Sequence, residues 1–140
     1  HDLRELIGER RVIELVLREV QALGDALVAV GDEVTLGPRS RLLLTLLTYC
    51  YAAGIYSSED IEWACRNDSG AQYLCANTPI NQETIRHFRR LHRMWIKTCL
   101  IRATAAASSL QPPFHLAPKP LVSTDYKLDI AIMMDTAMFD

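Results

Sequence analysis

Apolar residues recur at intervals of three and four along most of the first hundred positions, and that spacing predicts helices. Over residues 2–23, Leu3, Leu6, Ile7, Val12, Leu15, Val16, Val20 and Leu23 share one side. Glu5, Glu9, Arg10, Glu14, Arg18 and Glu19 fill the other. Gly8 weakens the first turn, and Gly24-Asp25 is expected to stop or kink this helix. Residues 26–37, with Gly31-Asp32-Glu33 and Gly37-Pro38, read as a connector. Pro38 then opens a second helix, where a first-turn backbone N–H has no partner to lose. Leu42, Leu43, Leu44, Leu46, Leu47, Tyr49 and Tyr51 surround this helix with apolar groups. It should therefore be the central, most buried one, ending at Gly54.

Ser57-x-x-Asp60 marks the start of a third helix, with Glu59, Asp60 and Glu62 near its positive end and Ile61, Ala64 and Cys65 as its inner stripe. Asn67-Asp68-Ser69-Gly70 breaks it, and a short helix through Tyr73, Leu74 and Cys75 follows. After a turn at 77–81, Asn81 is the natural cap of a helix predicted from Gln82 to Ala107. Ile85, Phe88, His92, Trp95 and Cys99 form its inward stripe, and Arg86, Arg90, Arg93 and Lys97 step along another side. Ala105 to Ser109 and then Pro112, Pro113, Pro118 and Pro120 read as a linker. Leu128, Ile130 and Ile132 alternate with Asp129 and Ala131 as at most one short strand. A lone strand is not stable, so a poorly ordered tail is expected.

The expected fold class is thus all-α, about five helices with a helix-turn-helix-like pair, over residues 1–107. A linker and tail occupy 108–140. The supporting helix of the pair is either 69–76 or, in a trihelical variant, 57–67, each followed by the helix from 82.

Composition changes this picture little, but the placement of charge changes it a great deal. The formal net charge is −2, which by itself argues against nucleic acid. Residues 1–36 carry four basic and eight acidic side chains, whereas residues 81–102 set Arg86, Arg89, Arg90, Arg93, Lys97 and Arg102 against Glu83 alone. Such segregation points to an anionic partner of one helix. Cys50, Cys65, Cys75 and Cys99 lie in apolar stretches without close pairing, which predicts reduced core thiols rather than disulfides or metal ligands. His87 and His92, five apart, are poorly spaced as ligands on one helical face, and Trp63 and Trp95 read as core fillers. The leucine run 42–47 falls far short of the ~20 apolar residues of a membrane span, so no membrane partner is expected and the location expected is cytoplasmic. A chain starting at His1 reads as processed, trimmed or a partial reading frame.

Tyr51 to Gly54, Ser57 to Arg66, Tyr73 to Ala76, Pro79 to Ile85 and Phe88 to His92 occur in an order that resembles a known family. The stretch from Arg39 to His92 is similar to the N-terminal helical domain of bacterial insertion-sequence DDE transposases of the InsH-like type. One departure lies at Ile80, Asn81 and Gln82, where the family has Pro-Asp-His. The resemblance implies an all-helical DNA-binding domain acting in transposition on the terminal inverted repeats of a mobile element, near the bacterial nucleoid. Gln82, Glu83 and Arg86 are then the candidates for base edges, and Arg89, Arg90, Arg93 and Lys97 for phosphates. Double-stranded DNA and a second copy or a full-length transposase are the implied partners.

The family's catalytic domain, which uses divalent metal such as Mg, requires a dispersed Asp, Asp and Glu converging on two ions about 4 Å apart. Asp125, Asp129, Asp135 and Asp140 are crowded near the end, and no glutamate follows Glu83. At best Asp135 stands in the leading aspartate's place. This chain is therefore expected to be no enzyme by itself and to hold no cofactor. A helical dimerisation module, or a truncated inhibitor capturing full-length transposase, is the alternative.

Overall fold

The computed structural model describes residues 2–31 and 36–110, and among them helices are the secondary structure, with no strand. The proline-rich tail, the strand-like segment 128–132 and the four C-terminal aspartates lie outside the described residues. Seven helices are described: α1 Arg4–Ile7, α2 Glu9–Ala29, α3 Pro38–Ala52, α4 Ser58–Asn67, α5 Ser69–Leu74, α6 Gln82–Leu91 and α7 Arg93–Ser109. The all-α expectation holds, but two of the expected helices are each divided.

The first division is at Gly8. Its φ of 89° is a conformation that side-chain-bearing residues avoid, and it turns the chain between α1 and α2. Gly24 does the opposite of what its sequence position suggested. Helix α2 runs straight through it, and a Cβ there would meet the Arg41 guanidinium at 3.0 Å and Leu36 at 3.6 Å. Glycine at this point permits close approach of the chain around α3, and does not end the helix. The second division, at His92 (φ −122°, ψ 32°), separates α6 from α7 without glycine or proline. Its ring stacks on Trp95 at 4.0 Å and tilts against Phe88 at 4.8 Å.

Helices α2, α3 and α7 pack on one another as a three-helix core, and α5 and α6 close over the rest of α3. Every residue from Leu43 to Ala52 is buried. Leu43, Leu44, Leu46 and Leu47 are covered within the chain itself. The end of α3 is closed by reciprocal backbone bonds. Gly54 N–H donates to Tyr51 C=O and Ile55 N–H to Cys50 C=O, with Gly54 at φ 81°. The buried hydroxyls of Thr45 and Thr48 donate to carbonyls one turn back.

Helix starts follow the cap residues. Ser57, Asp68 and Asn81 side chains accept from the amides of Asp60, Ala71 and Thr84. The Asp68 cap also anchors the N-terminus. Arg4 donates to Asp68 at 2.6 Å and to the Tyr49 hydroxyl at 3.1 Å, and Tyr49 donates to Asp68 at 2.9 Å. Burial works against ionising Asp68, yet the Ala71 amide, Arg4 and Tyr49 outweigh it and hold the carboxyl below the usual carboxylate range. All four cysteines are free and buried, and desolvation pushes the thiols of Cys65 and Cys99 up to about 12. Trp63 is no core filler, since it is 61 % exposed, and Trp95 is half-buried against His92.

Candidate nucleic-acid interface

Helix α6 is positioned from two sides. It packs against α4, the helix over Ser58–Asn67. Asn81 caps it, and Glu62 of α4 accepts from the Gln82 backbone N–H at 3.1 Å. From below, Arg89 pins it to the core, donating to the Tyr51 hydroxyl at 3.1 Å and to the Tyr56 carbonyl at 2.8 Å. Tyr51 and Tyr56 meet edge to face, 6.0 Å apart, around this contact.

That arrangement sorts the sequence candidates. Arg89 is only 2 % exposed, so its expected phosphate contact is corrected: the guanidinium is a core peg. Five cationic steps looked alike along the chain, but α6 buries Ile85, Phe88 and Arg89 as one stripe. Arg90 is exposed, and Arg86, Arg93 and Lys97 are half-buried. The inward stripe also changes phase at the break, running through Ile96, Cys99, Leu100, Ala103 and Ala107 of α7 in place of His92 and Trp95. Arg102, although outside the candidate set, is drawn away by Glu19 at 3.1 Å.

Gln82 is half-buried and its side chain is engaged at both ends. Its Oε1 accepts from Arg86 at 2.9 Å, and its Nε2 donates to Glu62 at 3.5 Å. Glu83 is exposed and stands apart from that pair. It lines a cleft of about 460 Å³ with Arg39 and Ser40 at the start of α3, and with Thr84, His87 and Leu91 of α6. His87 is exposed, and burial together with His87 lowers the pKa of His92 below the ordinary histidine value. Glu62 was read from the sequence as a helper of its own helix dipole. It reaches α6 twenty residues away instead, a relation that carries no local signal.

The structure thus defines an all-helical domain whose most cationic helices, α6 and α7, expose several basic side chains beside an engaged first turn. Residues 35–91, from just before α3 to the end of α6, match the family model described as Transposase domain (DUF772). That segment, 57 of the 140 residues, is thereby similar to the N-terminal region of insertion-sequence transposases. Neither the curated proteins nor the solved structures contain a match to the chain. None of the described helices is long and apolar enough to cross a membrane.

Proposed function

We propose that the chain binds double-stranded DNA through α6 and the first turns of α7, recognising the terminal inverted repeats of an insertion sequence. Helix α6 acts as the reading element of a helix-turn-helix-like pair with α4. The supporting observation is that Arg90 is exposed and Arg86, Arg93 and Lys97 are partly so, while Glu62 holds the first amide of α6 and Arg89 ties the helix to the core. The first turn, Gln82 to Arg86, faces base edges, and Arg90, Arg93 and Lys97 neutralise phosphates. The chain contributes recognition and subunit pairing at the bacterial nucleoid. Strand cleavage by the metal-dependent chemistry of the family is assigned to no residue described in this structure.

Three phosphate contacts give a slope of about −2.7 in log K against log salt, and a fourth from Arg89 would steepen it to about −3.6. Fluorescence anisotropy with duplexes carrying the element's ends and with random duplexes measures both preference and slope. The Arg86→Ala, Arg90→Ala, Arg93→Ala triple variant should lose binding in this assay. Equal affinity for both duplexes together with no salt slope would overturn the reading.

A helical pairing module, alone or capturing full-length transposase, is the second reading. Exposed Leu91 and Met94 at the corner between α6 and α7 favour it. Sedimentation of the same triple variant separates the two, because pairing would survive the loss of the arginines.

A further inference from the structure

We infer that Glu62, on the supporting helix, is a specificity-determining positioning residue: it holds Gln82 so that Arg86 is aimed at a guanine edge, and it keeps phosphate off the tip of α6. The inference rests on the DNA-binding reading proposed above and assigns it a preferred base. Four side chains form one continuous polar relay. Arg66 pairs with Glu62 Oε1 at 3.4 Å, and Glu62 Oε2 accepts from the Gln82 amide at 3.1 Å. Glu62 Oε1 also accepts from Gln82 Nε2 at 3.5 Å, and Gln82 Oε1 accepts from Arg86 Nη2 at 2.9 Å.

Each link has a consequence for recognition. Bidentate reading of adenine by glutamine needs both its carbonyl and its amino group, and in Gln82 both are already engaged. Arg86 has five donors and spends one on Gln82, so a fork remains for the O6 and N7 of guanine. An arginine already held loses less rotational freedom when it docks, which favours the base that fits the held orientation. The start of a helix ordinarily attracts phosphate through its unpaired amides and partial positive charge. Here the first amide carries the Glu62 carboxylate and the Thr84 amide carries Asn81 Oδ1, so neither is open to an incoming phosphate. Binding at the tip is thereby biased from backbone towards base.

The test uses duplexes selected by the wild-type chain from a random-sequence library, each compared with a scrambled duplex of equal composition. Glu62→Gln keeps an acceptor for the Gln82 amide and removes the charge. It is expected to lower the ratio of selected to scrambled affinity by about tenfold, with scrambled affinity unchanged or tighter. Reselection should lose its guanine at one position. Gln82→Ala, which cuts the relay on its other side, should produce a similar fall, and the double variant should be no worse than either single change. If Glu62→Gln does not fold, Gln82→Ala and its reselection carry the test. An unchanged ratio, or a parallel weakening on both duplexes, would overturn the role of Glu62 while leaving DNA binding intact. A wild-type chain with no affinity for any duplex would overturn the DNA reading itself.

Discussion

Tyr49 and Tyr51 both point inward from α3, and each hydroxyl meets an arginine from a distant segment of the chain. Buried phenols need partners, and a guanidinium supplies several donors at once. Arg89→Ala should therefore lower stability by about 2–4 kcal/mol in urea unfolding, whereas Arg90→Ala should change it by under about 0.5 kcal/mol and weaken DNA binding instead. The reverse assignment would refute the core role of Arg89. Around Tyr49 the packing is equally close. A Cβ on Gly70 would fall inside contact distance of the Tyr49 hydroxyl and within 2.7 Å of a Glu9 carboxylate oxygen. Gly70→Ala is expected to cost about 1–3 kcal/mol by overpacking, and Gly37→Ala, with open space around it, should be tolerated far better. Asp68 is held below the carboxylate range when folded, so the unfolded chain binds its proton more readily. Its contribution is present above an ordinary carboxylate pKa and is lost as pH falls through the folded value. Asp68→Asn should flatten that part of an acid unfolding profile.

At the scale of elements, cap chemistry was legible because it is local. Ser57, Asn81 and Pro38 each stand within three residues of the groups they serve, and the structure begins helices beside all three. The break at His92 was not legible. No helix breaker occurs there, and the stacking that accompanies it joins side chains already compatible with one continuous helix. His92 has a pKa lowered by burial and by His87, so the unfolded state takes up its proton first as pH falls. Stability should decline as pH drops through the ordinary histidine range towards the lower folded value. His92→Phe should remove part of that decline in a pH series of thermal melts. An unchanged profile would show that the ring is not shielded.

The described fold extends beyond the segment that resembles the transposase family model in a way that matters for folding. Helices α2 and α7, which lie outside residues 35–91, cover α3 together with α5 and α6. A chain limited to residues 36–91 would expose the apolar side of α3 and should lose cooperative unfolding, observable by circular dichroism during a denaturant titration. The thiols report on the same core. With all four cysteines buried and their pKa values raised by desolvation where a shift is found, a thiol reagent should label the native chain only as fast as it opens.

The sequence by itself determined the helical class, the principal caps, the central burial of α3 and the concentration of positive charge between Asn81 and Arg102. Each of these follows from short-range periodicity, local hydrogen bonding or composition. Only the tertiary structure decided which cations stay at the surface. Arg86, Arg89, Arg90 and Arg93 are chemically alike and close in sequence, but a guanidinium is satisfied equally by solvent or by a buried hydroxyl and carbonyl. The packing of α6 on α3 and α4 put Arg89 against Tyr51 and left Arg90 outside. It also brought Glu62 to Gln82 across twenty residues, a contact that no local pattern encodes.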